Sequence, residues 1–562
     1  MIHYIRVTVY VAGTLLLLGA VAVCGREAKA LDKSREILLD ADALYNGYDA
    51  ARTVLIDQGR QLQLDTRVFE FCKKPDGSII TDPIDLGRQE GLLSLEGSVK
   101  RVEIDLQADV PGGAGLRIGV RSGVNPFDQE HWSVWKVLDG LKGEIGELNG
   151  RFLQVRIMFE AQKPEELPVV TCIKLKPLFV PGKTWKGTIK VVEKRIEKII
   201  RSPIEFRYER PDQEKLARFR KQAKLDEVIA GGKDDFEKLV KLMDWTGGCQ
   251  NVRRTGRERA TGSRRYYLWD IEKVFEVRDG KPTVYGHCMS YSQVLVSAAT
   301  ALGYKARHLC MVGFRDMSHE VVEIWVPSLG KWVYFDPSLT NYYFDKETKI
   351  PMNLIEMHSV VADNFVPSGK DMNWLWRNRE SHARVREVGG KKHIGSRLGP
   401  WKYGTPMPKG YNWGWRHGYL AAGFVQMTPR NDFNSHPKAN PRRFGGDAGY
   451  GGYPFWVDKK TPPRKGVRDW YTRMRDFYWT VDQASFRLVK TEEEGKLMVQ
   501  LGHSMPFFKE YAVKIDNRTK SGVKNPFTWQ LKQGINRLEV APIDEFGRRG
   551  TASSITLQYK GN

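Results

Sequence analysis

The chain has 562 residues, of which 41% are hydrophobic and 28% are charged, and its formal net charge is +22. This is the composition of a folded globular protein. A chain of this length is too large for one hydrophobic core, so we expect three or four domains.

The first 30 residues have the pattern of a secretory signal peptide. An apolar run at 11–23 follows a basic residue, and residues 28–30 read Ala-Lys-Ala, a small-x-small cleavage site. Cys24 would also permit a lipoprotein signal, but a bulky Val23 precedes it where Gly or Ala is usual, so cleavage near Ala30 is favoured. No later apolar run is long enough to span a bilayer. We therefore expect a secreted or periplasmic protein without a membrane span.

Five cysteines lie beyond the signal sequence, and five is an odd number. Disulfides between Cys72 and Cys172 and between Cys249 and Cys310 would leave Cys288 unpaired. Five buried thiols fit the sequence equally well. The sequence alone leaves both alternatives open.

Positive charge is concentrated in two segments. Residues 377–475 contain 21 Lys and Arg against 6 Asp and Glu, and residues 253–265 contain six Arg and one Glu. Seven of the 16 Trp residues lie within 374–470. Basic side chains interleaved with aromatic rings suit an anionic polymer, and export favours an acidic glycan or envelope polymer over nucleic acid. A solvated basic surface that aids solubility fits the same charge pattern.

Hydrophobic patterns divide the chain after the signal peptide 1–30. Alternating polarity in 31–180 predicts a β-sandwich, and its last strands resemble jelly-roll modules of secreted glycan-active enzymes. Residues 181–364 have helix and then strand patterns, and 365–476 form an irregular extension rich in Gly, Trp and basic residues. Short strands in 477–562 predict an immunoglobulin-like sandwich. The expected fold class is multidomain α+β, with a central domain between two β-sandwiches.

Cys288 precedes an apolar helical pattern. Apolar residues recur at helical spacing through Leu302, and Gly303 suits the end of the helix. The dipole at a helix N-terminus lowers the pKa of a cysteine thiol placed there and favours the thiolate. Cys288 is therefore a candidate nucleophile.

Two strand patterns follow this helix, joined by a Pro-Ser-Leu-Gly turn. If Val326 pairs with Lys331 across the turn, His319 and Asp336 lie diagonally on one face, with their backbones about 7–8 Å apart. An imidazole and a carboxylate can form a hydrogen bond across that gap. Together with Cys288 they predict a nucleophile, a base and an orienting group.

These segments together resemble the core of the transglutaminase-like superfamily. The shared features are Gly-His-Cys at 286–288 opening a helix, Leu-Gly-Tyr-Lys-Ala-Arg at 302–307, a histidine that starts a strand, and Trp-Val-Tyr-Phe-Asp-Pro at 332–337. The resemblance covers residues 236–358, about a fifth of the chain. It implies a papain/transglutaminase-like fold for the central domain.

The resemblance also implies roles for individual residues. Cys288 would be the nucleophile, His319 the general base and acid, and Asp336 the residue that orients His319. The substrate would be a carboxamide or peptide bond, attacked through an acyl-enzyme. His287 and Met289 stand where animal transglutaminases carry Gln and Trp, which argues against protein cross-linking. The superfamily also contains proteases, glycan-releasing amidases and inactive members.

Candidate substrate-binding residues lie beside the nucleophile and in the basic, Trp-rich segments. They are Tyr285, His287, Trp325, Arg264, Arg265, Trp413, Trp415, Arg416 and His417. No set of cysteines and histidines has metal-ligand spacing and no glycine-rich phosphate loop is present, so we predict neither a metal nor another cofactor. We interpret His308 and His358 as structural residues.

The leading functional hypothesis is a secreted cysteine enzyme that transfers or hydrolyses an acyl group at an amide or peptide bond. A second hypothesis is an enzyme of the same scaffold that degrades an acidic polysaccharide, as a lyase or a glycoside hydrolase. A third is a glycan-binding protein without catalysis. The predicted partners are accordingly an anionic polymer or a protein or peptide amide.

Overall fold

The protein is described from a computed structural model. The described residues are 36–561, except 73, 88, 91–92, 96, 129, 183–184, 250–269, 275–276, 279–280, 283–287, 313–317, 346–347, 366–423, 437–452, 459–469 and 521. The predicted signal peptide and most of the basic extension lie outside them. Within the described ranges, no helix is long and apolar enough to cross a membrane.

The N-terminal part of the chain is built from two antiparallel sheets that share one apolar core. Alternating polarity places one side of each strand in this core, as Val102, Ile104 and Leu106 illustrate. The strands are β1 Ile37–Asp40, β2 Asp49–Ala51, β3 Thr53–Ile56, β4 Gln61–Leu64, β5 Asp76–Ile80, β6 Ile84–Asp85, β7 Gln89–Glu90, β8 Leu93–Leu95, β9 Gly97–Asp109, β10 Gly115–Gly123, β11 Lys136–Val137, β12 Lys142–Gly146, β13 Phe152–Glu160 and β14 Val169–Pro181, with helices α1 Ala41–Tyr45 and α2 Val68–Phe71. One sheet has the order β12-β9-β14-β4-β3 with β1 also on β14, and the other has the order β11-β10-β13-β5-β2 with β6 on β13.

The central part combines helices with a six-stranded sheet. Its helices are α3 Glu214–Gln222, α4 Leu225–Ile229, α5 Asp235–Gly247, α6 Ile271–Val274, α7 Cys288–Leu302 and α8 Leu354–Phe365, followed by the short α9 Met474–Phe477. Its strands are β15 Thr188–Arg195, β16 Val277–Arg278, β17 Lys281–Pro282, β18 Ala306–Val312, β19 Ser318–Val326, β20 Lys331–Phe335, β21 Phe424–Met427, β22 Phe455–Val457 and β23 Trp470–Tyr471. The sheet order is β20-β19-β18-β21-β22-β23.

The hairpin β19–β20 has the register expected from the sequence, because Val326 pairs with Lys331 and Val322 with Phe335. Helix α7 is buried along almost its whole length and packs against Val322 and Phe335 in one apolar core. Strands β21 to β23 come from the predicted extension 365–476. That extension therefore supplies half of the strands of the central sheet.

The C-terminal part contains two five-stranded sheets around a second β core. Its own strands are β24 Ala484–Lys490, β25 Lys496–His503, β26 Phe508–Ile515, β27 Arg518–Lys520, β28 Phe527–Gln530, β29 Gly534–Asp544 and β30 Ser553–Lys560. The sheets have the orders β28-β25-β24-β8-β7 and β15-β30-β29-β26-β27.

Three strands of these C-terminal sheets come from earlier in the chain. Strands β7 and β8 extend from the N-terminal part, and β15 pairs with β30 along its length. The expected boundaries at 180 and 477 therefore do not follow the sheets. The sequence pattern gave no sign of this, because an edge strand that joins a distant partner has the same local alternation as any other strand.

Neither of the disulfides considered from the sequence is formed. Cys72 accepts a hydrogen bond from the Arg52 guanidinium, at 3.7 Å. Cys172 lies on β14, where burial raises the pKa of its thiol. The alternative of five buried thiols holds only for Cys310, because the other four cysteines are partly exposed.

Candidate active site

Cys288 is the first residue of α7 and is partly buried. The helix behind it is fixed by apolar packing, since residues 289–301 are all buried. Gly303 ends the helix with φ +92°, a conformation that favours glycine. The thiol therefore sits at the positive end of a rigid helix, where the helix dipole stabilises a thiolate.

His319 and Asp336 form the second and third members of the arrangement. Nε2 of His319 lies 2.8 Å from Oδ2 of Asp336, and the two side chains are 14% and 1% exposed. His319 is also hydrogen-bonded to the side chain of Cys288. Because Nε2 is engaged by Asp336, Nδ1 is the ring nitrogen left for the thiol. The three residues are thus brought together in the order thiol, imidazole, carboxylate.

The electrostatics of His319 favour its protonated form. Burial alone would lower the pKa of this imidazole, but the charge of Asp336 and the hydrogen bonds to Asp336 and Cys288 outweigh burial and raise the pKa to about 10. At neutral pH the imidazolium therefore persists beside the thiol. A positive charge in that position favours loss of the thiol proton from Cys288.

Asp336 is held by groups that the sequence analysis did not single out. Ser338 donates its hydroxyl to Oδ1 at 2.7 Å, and the Tyr334 hydroxyl lies 3.5 Å from Oδ2. The backbone N–H of Asp336 donates to the carbonyl of Asn341. Tyr334 could have been found from sequence, since the strand pattern predicted from the sequence ran through Asp336, and residues two apart in a strand share a face. Ser338 follows the strand, and outside a strand no periodicity in the sequence predicts which way a side chain points.

The predicted substrate-binding residues fall into two groups. Trp325 is described and is 2% exposed, packed edge-on against Trp332. A side chain buried in the core of the sheet cannot contact a polymer at the surface, so the expectation for Trp325 was wrong. The others lie outside the described residues: Tyr285, His287, Arg264, Arg265, Trp413, Trp415, Arg416 and His417.

The two histidines interpreted as structural are both buried. Nε2 of His308 lies 2.9 Å from Oε2 of Glu320, and its Nδ1 lies 3.2 Å from the Thr428 hydroxyl. Nε2 of His358 lies 3.3 Å from Asp458, and its ring packs edge-on against a tryptophan. No group of three or more His, Cys, Asp and Glu side chains suited to a metal ion occurs in the described part of the chain.

Residues 222–337 match the family model of the transglutaminase-like superfamily. The chain carries a transglutaminase-like core over these residues. The match ends at the Asp-Pro pair of residues 336–337 and contains Cys288 and His319. It confirms the resemblance inferred from the motifs, in a region that makes up about a fifth of the chain.

Three of the solved structures that this chain resembles are distant from it in sequence. A transglutaminase of red sea bream is 8% identical, over 86% of this chain and 80% of that chain, with a TM-score of 0.20. A candidate cysteine protease from Cytophaga hutchinsonii is 12% identical, over 43% of this chain and 77% of that chain, with a TM-score of 0.16. A family two carbohydrate esterase from Cellvibrio japonicus is 13% identical, over 27% and 36% of the two chains, with a TM-score of 0.14. A comparison with curated proteins finds no match.

Proposed function

We propose that this protein is a cysteine-dependent enzyme that cleaves or transfers the acyl group of an amide or peptide bond. Its nucleophile would be Cys288, its general acid and base His319, and its orienting residue Asp336. The observation that carries the proposal is the position of His319, which is bonded to Asp336 on one side and to Cys288 on the other. The transglutaminase-like core supports the same general kind of chemistry.

In the proposed reaction the thiolate of Cys288 attacks the carbonyl carbon and forms the new C–S bond. The C–N bond of the tetrahedral intermediate then breaks, and the imidazolium of His319 gives its proton to the departing nitrogen. The product is a thioester. Water or an amine then attacks the thioester, His319 takes its proton, and the C–S bond breaks to restore the thiolate. Asp336 keeps the imidazole ring oriented throughout.

The proposed setting is outside the cytoplasm, with the signal sequence cleaved near Ala30. The proposed flanking modules are a jelly-roll-like sandwich and an immunoglobulin-like sandwich. A substrate in the cell envelope or outside the cell, either a peptide amide or an amide on an acidic polymer, suits both this setting and the basic charge of the chain.

A second candidate function is degradation of an acidic polysaccharide on the same scaffold. One observation favours it: the described strands of the extension 365–476 are part of the central sheet, and β21 pairs directly with β18. By sequence the extension is the most basic part of the chain, and its described strands join the sheet that carries His319. An anionic polymer would be attracted to that extension.

The test is a substrate panel that contains peptide amides, glutamine-containing proteins with and without an amine acceptor, and uronic-acid glycans. The variant is Cys288→Ala, and the matched control is Cys172→Ala, a thiol on β14 in the N-terminal sandwich. We expect release of ammonia or amine by the wild type and the control, and a loss of at least about 10³-fold in Cys288→Ala. Amide activity that survives Cys288→Ala would overturn the proposal. Glycan cleavage without amide cleavage would favour the second candidate.

A further inference from the structure

The residues that follow Asp336 form a tight hairpin turn. The backbone N–H of Asp336 donates to the carbonyl of Asn341 at 2.8 Å, and the N–H of Asn341 donates to the carbonyl of Asp336 at 3.1 Å. These two bonds make an isolated β-bridge that closes the four-residue turn 337–340. Ser338, whose hydroxyl donates to the carboxylate of Asp336, lies within the turn. The conformation of the turn therefore decides how this carboxylate is held.

Thr340, the last residue of the turn, has a backbone conformation that is rare for its residue type. Its φ is +52°, in the left-handed region, where a side chain branched at Cβ crowds the backbone. Among the non-glycine residues of positive φ in the described ranges, Thr340 is the only one branched at Cβ. Glycine would adopt the same backbone with less strain. A strained residue persists only where the surrounding contacts hold it in place.

The contact that holds Thr340 comes from α5. Gly247 is the last residue of this helix, and a Cβ added to it would lie 2.7 Å from Cγ2 of Thr340 and 3.0 Å from the carbonyl oxygen of Pro337. The φ of Gly247 lies outside the left-handed region, so the backbone of the helix does not itself require glycine. The space left by the missing side chain is taken by the methyl group of Thr340. The two residues therefore fit each other in size.

Helix α5 also packs against the helix that begins at Cys288. Leu239 and Leu242 of α5 are fully buried in the same apolar core as Val294 and Leu295 of α7. Packing of this kind transmits small displacements between the elements that it joins. The contact between α5 and the turn therefore helps to fix the turn relative to α7.

We propose that Thr340 is a positioning residue of the candidate active site. Its methyl group, in contact with Gly247, holds the turn that follows Asp336. The carboxylate of Asp336 then keeps the imidazole of His319 beside Cys288. Thr340 acts through Asp336 rather than on the substrate. The inference rests on the proposed function, because a positioning residue presupposes that this arrangement is catalytic.

Two substitutions separate the methyl group of Thr340 from its hydroxyl. Thr340→Ser removes the methyl group, whereas Thr340→Val keeps the branched shape and removes the hydroxyl. The measurement is the rate at which iodoacetamide alkylates Cys288 at pH 6 in the folded full chain, followed by mass spectrometry. Thr340→Ser should react at least about 3-fold more slowly, because a less firmly held imidazolium stabilises the thiolate less, and Thr340→Val should stay within about 2-fold of the wild type. The matched control is Thr171→Ser, which removes the same methyl group from an exposed threonine on β14 and should react as the wild type does.

A third substitution tests the fit from the side of α5. Gly247→Ala should press on the turn and slow the alkylation of Cys288 at least about 3-fold, although alanine favours a helix more than glycine does. Combined with Thr340→Ser, the added methyl group gains the space that the removed one leaves. The double variant should therefore react faster than Gly247→Ala alone. A double variant whose rate is the product of the two single losses would contradict the fit between the two residues.

Further measurements distinguish a positioning role from a purely stabilising one. In Thr340→Ser, kcat on an amide substrate should fall with KM unchanged, its pH profile should shift, and the pKa of His319 measured by NMR should move towards its ordinary value. Alkylation and NMR need no substrate, so they test this inference even where no amide is cleaved. Lost activity in Cys288→Ala together with wild-type alkylation in Thr340→Ser would refute this inference alone.

Two results would overturn the proposal. One is a wild-type alkylation rate in Thr340→Ser, whether or not its midpoint of urea unfolding falls, because the residue would then be structural only. The other is a loss in Thr340→Val as large as the loss in Thr340→Ser, because the methyl group would then not be the part that acts.

Discussion

Two pairs of histidine and carboxylate, on β18 and β19 and directly after β20, are alike in residue type and in distance. His319 lies 2.8 Å from Asp336, and His308 lies 2.9 Å from Glu320. A cysteine accompanies each pair, because His319 is bonded to Cys288 and Cys310 is the strand partner of Glu320. His319 and Glu320 are neighbours in sequence and so point to opposite faces of β19.

The two groups differ in the solvent exposure of their side chains and in the secondary structure that contains the cysteine. His308, Cys310 and Glu320 are each at most 4% exposed, and Cys310 lies within a strand. Cys288 begins a helix and is partly exposed, and His319 keeps 14% of its side chain open to solvent. Residue types and distances alone therefore do not make a candidate active site. A helix N-terminus and the partial exposure of the thiol and the imidazole distinguish the first group from the second.

The largest expected effect comes from removing the carboxylate charge of Asp336. The same change at Glu320 is the comparison. Asp336→Asn should lower amide activity on the order of 10²–10⁴-fold, because the amide cannot hold the imidazolium of His319 in place. Glu320→Gln should leave activity within about 2-fold of the wild type and cost about 1–3 kcal/mol of folding stability, because it disrupts a buried pair. Activity is measured on the best amide of the panel and stability by urea unfolding.

These two variants control for each other, since both replace a buried carboxylate by an amide of the same shape. Equal losses of activity would remove the functional distinction between the pairs. A large loss in Glu320→Gln with none in Asp336→Asn would move the candidate site to the other face of the sheet.

The second prediction concerns the reactivity of the two thiols. Cys288 in the native protein should react with iodoacetamide at pH 6 at least about 10²-fold faster than Cys310, because only a partly exposed thiolate reacts rapidly. His319→Ala should raise the pKa of Cys288 towards the ordinary thiol value near 8.5 and slow alkylation at pH 6 about 10-fold. Mass spectrometry of each cysteine peptide measures both rates. Similar alkylation rates for Cys288 and Cys310 would contradict the difference in solvent exposure between the two thiols.

The sequence predicted the structure correctly where the local hydrophobic pattern and the residue types of the candidate site point to the same arrangement. The motif around Cys288 and the turn between β19 and β20 were enough to predict the helix that begins at Cys288, the hairpin register and the closeness of His319 to Asp336. The buried pair His308–Glu320 was only half predicted, because His308 was interpreted as structural but no pattern named its partner.

The features that the sequence did not predict depend on contacts between distant parts of the chain. Strand β15 joins β30, more than 350 residues away, and nothing in its alternating pattern identifies that partner. Trp325 was predicted as a substrate-binding residue. Its face of β19 is instead covered by the core that contains Trp332 and α8.

The third prediction follows from the pKa of His319, which lies at about 10 against an ordinary value of 6.5. A raised pKa in the folded state means that protonation stabilises the fold. This contribution is complete below pH 6.5, decreases above it, and is lost as pH rises through about 10. In Asp336→Asn the main cause of the raised pKa of His319 is gone, so the pKa should fall back towards the ordinary value. Titration of the His319 ring by NMR measures the pKa, and urea unfolding at pH 6 and pH 9 measures the stability. A wild-type ring that titrates near 6.5 would contradict the charge assignment.

The smallest effects should come from the hydroxyls that support each pair. Ser338 donates a 2.7 Å bond to the charged Asp336, so Ser338→Ala should cost about 1 kcal/mol and reduce activity several-fold, because Asp336 would gain freedom to turn away from His319. Thr428 is 3.2 Å from His308, and Thr428→Val should cost less than about 1 kcal/mol without changing activity. The informative measurement is kcat against pH in both variants. A shift of the pH profile in Ser338→Ala alone would show that the hydroxyl acts through the imidazole, whereas unchanged profiles in both variants would limit the role of Ser338 to stability.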